Sequence, residues 1–255
     1  MFLARVAKLY FKRSSPIAYA PYLLIIPIIV FYALSLTGCV STSPAIPNIY
    51  IVSLRSNTNA TTDPVQVRIG YYGICGIDED GTRCQSANGR SVEELAANLF
   101  PVLGGNSSSN TTSDADITDL ITTALNLQSQ SFISVLAAAA VLFFVGVAAM
   151  LFYKLDVRKG DFDHPRRSAI IRRATYGSLF LSTAFVFAAA LATDQAADAL
   201  EFASAGMKNA SVLIKSGTTL QVLQWITFGF SMLFTLAVPF LVRPKERAEV
   251  YKEEA

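Results

Sequence analysis

The sequence predicts a membrane-embedded all-α four-helix bundle carrying a small extracellular antiparallel β-sheet. Three observations lead there: four long uncharged apolar runs, basic residues gathered on one side of them, and a polar insert with strand-like alternation and two cysteines around a turn. Of the 255 residues, 52% are hydrophobic and only 16% charged, and the apolar excess is concentrated in those runs, which makes a soluble enzyme a poor reading. One His and three Cys leave little material for a His-based catalytic centre or a Cys-rich zinc site. No phosphate-binding Gly loop, Ser-His-Asp set or Cys-His pair can be assembled, so the expectation is a non-enzymatic protein without cofactor and without a nucleic-acid partner.

The uncharged runs cover residues 17–40, 132–153, 174–193 and 220–242. A helix rising 1.5 Å per residue needs about 20 apolar residues to cross roughly 30 Å of hydrocarbon, and each run is long enough. A helix also pairs every backbone amide within its own segment, which lipid demands. Arg5, Lys8, Lys12 and Arg13 before the first run, with Leu36-Thr37-Gly38-Cys39 at its end, resemble a cleaved lipoprotein signal. The run is far longer than the roughly 7–15 apolar residues of a signal peptide, which favours an uncleaved helix. Pro21 and Pro27 lie inside it, as membrane helices tolerate when neighbours re-satisfy the freed carbonyls.

Charge sets the orientation. With both termini cytosolic, 15 of the 21 basic residues fall inside: four in the tail 1–16, seven in the loop 154–173 and four in the tail 243–255. The loop holds Lys154, Arg158, Lys159, Arg166, Arg167, Arg172 and Arg173, a strong positive-inside signal suited to contact with anionic inner-leaflet lipid. Outside lie loop 1, residues 41–131, and loop 2, residues 194–219. Asn-X-Ser/Thr acceptors at Asn59, Asn106, Asn110 and Asn209 all fall in these outer segments. Their one-sided placement implies passage through a glycosylating, oxidising compartment, consistent with a multi-pass plasma-membrane protein.

Within loop 1, residues 46–54 are apolar and β-prone. Residues 65–75 alternate Val-Gln-Val-Arg-Ile before reaching Gly70-Tyr71-Tyr72-Gly73-Ile74-Cys75, and Asp80-Gly81 marks a turn before residues 82–86. Two or three antiparallel strands are expected. Residues 91–100 suit a short amphipathic helix, 104–116 a flexible tether, and the polar stretch from Asp119 an extension of the second span above the membrane. The turn brings Cys75 and Cys84 together, and an oxidising compartment favours their disulfide, stabilising the hairpin by roughly 2–3 kcal/mol on the chain-entropy account. Cys39 is the odd thiol, read either as a buried small hydrophobe or as a source of an intermolecular bridge. Gly70 and Gly73 permit close backbone approach, and as part of a strand Tyr71 and Tyr72 would point to opposite faces, one to the bundle and one outward.

Four helices with both tails inside, a long first outer loop, and the Gly-Tyr-Tyr-Gly-Ile-Cys motif followed by Cys84 resemble the claudin superfamily. Within it they resemble the fungal mating-induced branch, the calcium regulator and membrane fusion protein family. That branch has a Gly, two bulky apolar residues, Gly, any residue, Cys, a gap and Cys, and every position is filled here. The tryptophan that animal claudins place before these cysteines is missing, because the one Trp is Trp225 in the fourth run. The resemblance implies support of Ca²⁺ influx and of cell or membrane fusion during mating, polarised growth or development. It also implies partnership with calcium-channel components or further copies of the chain, and contact with an opposing cell surface.

The four runs contain no Asp, Glu, Lys, Arg or His, which argues against a self-contained ion-coupled transporter. Oxygen ligands for Ca²⁺ could come from Asp78, Glu79 and Asp80 at the hairpin tip. Asp194, Asp198 and Glu201 share one face of any helical extension of the third run. Both sets are weak candidates, since neither belongs to a twelve-residue calcium loop. Asp161-Phe162-Asp163-His164 reads as charge balance in the basic loop. Ser178, Ser182, Ala184 and Ala188 supply small residues at helical spacing for close packing. A structural organiser of membrane domains or cell contacts without ion transport, and an oligomeric pore, are the rival readings.

Overall fold

A computed structural model describes residues 20–56, 65–78, 81–87, 89–101, 118–119, 121–126, 133–159, 165–206 and 212–241. The first helix comes in two pieces, α1 (Ala20–Leu23) and α2 (Ile25–Thr37). The break follows from Pro27, whose ring clashes with the carbonyl four residues back and which has no N–H to offer it. Loop 1 holds a 3₁₀ turn (Ile46–Asn48), strands β1 (Val52–Ser56), β2 (Gln66–Ile69), β3 (Gly73–Asp78) and β4 (Gly81–Ser86), and helix α3 (Val92–Leu99). Residues 118–119 and 121–126 are helical. Then come α4 (Ile133–Lys159), α5 (Pro165–Gly206), β5 (Val212–Ser216) and α6 (Thr218–Leu241).

Among the described residues three helices are long and apolar enough to cross a membrane, Val135–Leu155, Ala169–Ser204 and Thr218–Pro239, while the described part of the N-terminal one, Pro21–Thr37, is a shorter apolar helix. The helices pack α4 on α5, α5 on α6, α6 on α2 and α2 on α4. Their shared interior is aromatic, with the Phe143 ring 5.9 Å from Tyr32 and 5.7 Å from Phe234. Outward-facing Ile26, Val141, Phe152, Phe180 and Leu233 are exposed, so the helices are apolar on both sides, as segments solvated by lipid are. Gly146 lets α4 and α5 approach, since a Cβ there would run into Leu179 and Ser178. Ser182 donates to the Ala139 carbonyl at 2.7 Å. Ser178 and Ser182 therefore serve packing against α4, whereas Ala184 and Ala188 are exposed.

The sheet is larger than the sequence led one to expect: five antiparallel strands in the order β4-β3-β2-β1-β5. The fifth is recruited from loop 2, where Leu54 of β1 sits opposite Ile214. Cross-strand partners share a face, so Leu54, Val67, Ile69, Ile74 and Ile214 form one apolar face. This face is covered by Leu95, Leu99 and Phe100 from the α3 region, by Ile121 and Ala124, and by Ala197 of α5. Ser91 caps α3 by accepting from the Glu94 amide, and the amphipathic helix expected over 91–100 forms. The strand expected over 46–54 begins only at Val52. Pro47 fixes φ and lacks an N–H, so the chain first makes a 3₁₀ turn.

Helix α5 runs well past the expected third span at both ends. Its outer extension seals the β5 edge, because an unpaired strand edge invites foreign pairing. Ser204 Oγ accepts from the Ile214 amide at 3.2 Å and Glu201 Oε2 accepts from the Ser216 amide at 3.0 Å. Glu201→Ala is expected to speed hydrogen exchange at the Ser216 amide while exchange in β2 and β3 stays unchanged. Equal exchange at Ser216 in both proteins would show that the carboxylate does not seal this edge.

Candidate functional site

The motif residues gather where the sheet meets the helices. Gly70-Tyr71-Tyr72 is not a strand segment, as its alternation suggested, but the turn joining β2 to β3, which begins at Gly73. It closes through Gly70 N–H to the Gly73 carbonyl at 2.8 Å. A turn relieves the tyrosines of strand alternation, so both can face the helices: Tyr71 is buried, and half-buried Tyr72 packs against the same helical core. The glycines are fixed by space. A Cβ on Gly70 would collide with the Gly38 carbonyl and one on Gly73 with the Cys39 carbonyl. The turn thus lies directly against the backbone leaving α2, where Cys39 takes φ 58° and its amide donates to the Ile46 carbonyl at 3.3 Å.

Tyr71 fastens this turn to two more helices. Its hydroxyl accepts from Gln224 Nε2 of α6 at 2.6 Å and lies 3.2 Å from Thr193 Oγ1 of α5. Thr193 and Gln224 are themselves buried, so these bonds are made away from water, where an unmade bond is expensive, while Gln224 Oε1 is left without a partner. Burial raises the Tyr71 phenol above its ordinary value, and the hydrogen bonds to Thr193 and Gln224 oppose that shift. Through one side chain and two glycines the motif touches α2, α5 and α6 together. Sequence reading missed Thr193 and Gln224; a Gln among apolar neighbours at the start of the fourth run is the signal that could have found one of them.

Cys75 and Cys84 are cross-strand partners on β3 and β4, with Cα atoms 4.0 Å apart, and are joined by a disulfide. They lie on the sheet face opposite the apolar one, in the row that holds Arg68, Ser53 and Lys215, and Cys75 is buried there. Arg68 donates to Asn48 Oδ1 at 2.9 Å and to the Pro47 carbonyl at 3.1 Å, and stands 4.9 Å from the Tyr50 ring centre. Its guanidinium therefore pins the 3₁₀ turn to the sheet. Cys39 is fully buried, its thiol 3.6 Å from the Ile49 carbonyl. A neutral, enclosed thiol fits the small-hydrophobe reading better than an intermolecular bridge.

The acidic candidates do not converge. Among the described residues no three His, Cys, Asp or Glu stand close enough to hold a metal ion. Asp194, Asp198 and Glu201 lie along helical α5, with the Glu201 carboxylate engaged by β5. Asp78 accepts from the Gly81 amide in the hairpin, while Glu79 and Asp80 fall outside the described residues. So do the acceptors Asn59, Asn106, Asn110 and Asn209, and the Asp161-to-His164 stretch.

A family model described as the Ca²⁺ regulator and membrane fusion protein Fig1 matches residues 51–243. The chain belongs to the Fig1 family. The match begins at the foot of β1 and ends just past α6, so it takes in the whole sheet, the turn, the disulfide and all three span-length helices. No curated protein matches the chain. The Fig1 family is described by calcium regulation and membrane fusion, not by an enzymatic activity.

The clasp yields a stability prediction. Gly73→Ala forces a Cβ into backbone and is expected to cost about 1–3 kcal/mol, and Tyr71→Phe, which orphans Gln224 and Thr193, about 1–3 kcal/mol. In a double-mutant cycle Tyr71→Phe with Gln224→Leu should cost less than the sum of the two single changes. Additive losses in thermal unfolding of the detergent-solubilised chain would remove the hydrogen bond from the account. The phenol is raised in the folded chain, so its stabilising contribution is complete below the unfolded value of 10.0. It declines as pH climbs from there through the folded value. Tyr71→Phe should flatten that alkaline decline.

Proposed function

We propose that this chain is a four-span plasma-membrane protein, claudin-like in architecture with both termini cytosolic, that supports Ca²⁺ influx and cell or membrane fusion in fungal mating, polarised growth or development. The observation that carries this reading is the family match over the cap and the span-length helices together. The N-terminal apolar helix packs against α4 and α6, and the uncharged run 17–40 is long enough for it to complete a fourth span. The one-sided basic residues support cytosolic tails, and the one-sided sequons support an outward cap.

The mechanism follows from the clasp. A partner or opposing surface that engages the sheet bears on a rigid, disulfide-pinned element. Through Tyr71 and the two glycines that element is joined to α2, α5 and α6, so a load on the cap reaches the helices and whatever they touch laterally. The helix interior is filled by Tyr32, Phe143 and Phe234, which favours regulation of a separate conduit over conduction through a single copy. It equally suits an organiser of contacts without ion transport.

Calcium imaging during mating, with and without the gene, separates these readings. The proposal expects a reduced rise in cytosolic Ca²⁺ and fewer fusions in the deletion, and partial loss of both with Cys75→Ser or Cys84→Ser. An unaltered calcium rise with failed fusion would leave the organiser. Liposomes that pass Ca²⁺ once the purified chain is inserted would leave the pore.

A further inference from the structure

At the end of the helices away from the sheet, cationic and phenolic groups stand together, and among the described residues none of them forms an ion pair. The Lys154 ammonium of α4 lies 4.1 Å from the centre of the Tyr22 ring of α1. The Tyr22 hydroxyl is itself buried with no hydrogen-bond partner. One residue before Lys154, Tyr153 is only 6% exposed and belongs to the helical core against which Tyr176 of α5 packs, one helical turn after Arg172. Among the described residues the ion pair formed is Arg90 with Glu94, on the sheet side. Neither Lys154 nor Arg172 has a described carboxylate within reach.

A half-buried ammonium over an aromatic face is partly stabilised by the ring. An ammonium, a guanidinium and a buried phenol O–H, all donors, still call for an acceptor-rich anion. Phosphate supplies several oxygens and negative charge in one group. Depth decides its source: Lys154 is the penultimate residue of the apolar segment Val135–Leu155, at the level where a bilayer's phosphates begin. We propose that Lys154, Tyr22, Arg172 and Tyr176 form a site for the phosphate of an anionic phospholipid in the leaflet on the basic side of the membrane. The site requires that these helices lie in a bilayer and is independent of the calcium reading.

The test uses the full chain purified in detergent, followed by native mass spectrometry and thermal unfolding with added phosphatidylserine, phosphatidylcholine or inorganic phosphate. Phosphatidylserine is expected to be retained and to raise the unfolding temperature, with phosphatidylcholine and inorganic phosphate doing neither. Lys154→Gln should weaken phosphatidylserine retention by about fivefold, the contribution of one cation at an anionic surface. Lys154→Arg, which keeps the charge, should retain the lipid and shows whether loss in the Gln variant is a folding defect. Equal retention of phosphatidylcholine, undiminished retention by Lys154→Gln, or stabilisation by inorganic phosphate matching that by the lipid would overturn the assignment.

Discussion

The structure depends on the seating of the β2–β3 turn against three helices. A five-stranded sheet whose strands come partly from before α4 and partly from between α5 and α6 has no contiguous stretch of sequence to anchor it. Its orientation over the helices has to be set by contacts of very long range, and these concentrate at one turn. Gly70 and Gly73 bring backbone within contact of the Gly38–Cys39 backbone. Tyr71 reaches past them to α5 and α6. The β5 edge is also held to α5 through Ser204 and Glu201, so geometry and hydrogen bonding at the turn and at that edge together decide whether cap and helices move as one body.

That seating uses neutral groups, and the choice has a physical basis. Charged side chains so close to hydrocarbon would carry a desolvation cost of several kcal/mol each. A Tyr–Thr–Gln cluster gives direction and specificity at a smaller cost, provided its members find each other. The same solution recurs deeper, where the Tyr32 hydroxyl meets Ser182 at 3.2 Å and Thr183 meets Thr235 at 3.0 Å. The described helix interiors are thus held by dispersion between aromatic rings and by a few neutral hydroxyl contacts, the means available where lipid offers no hydrophobic contrast. Charge is kept for the two ends.

Much of this was legible in the sequence because the bilayer imposes a length rule that soluble folds lack. Three of the four apolar runs correspond to helices of spanning length, and the turn at Asp80-Gly81 gave the β3–β4 hairpin with its disulfide. What could not be read has a common cause. The fifth strand, Val212–Ser216, is a five-residue stretch whose partner β1 lies over 150 residues earlier, and no local period announces that pairing. The tyrosine pair looked like strand alternation because two residues between glycines satisfy a period of two equally well in a tight turn. Glu201 makes a contact that helical spacing does not announce, since its carboxylate accepts from the Ser216 amide at the strand edge beside it. Each miss is a tertiary partner overriding a correct local pattern.

Disulfide, clasp and core form a chain of connections whose stiffness differs along its length. The disulfide binds β3 to β4 on the face opposite the apolar one, Arg68 binds the 3₁₀ turn to β2, and Tyr71 binds the β2–β3 turn to the helices. A force applied at the hairpin tip has covalent and charge-assisted links over the first two steps and neutral hydrogen bonds over the last. The last step is therefore the weakest, and it lies at the boundary between cap and membrane. If contact outside is to alter anything within the bilayer, the Tyr71–Gln224–Thr193 junction is where that change must begin, because the sheet above it and the aromatic core below it are each packed too closely to yield first.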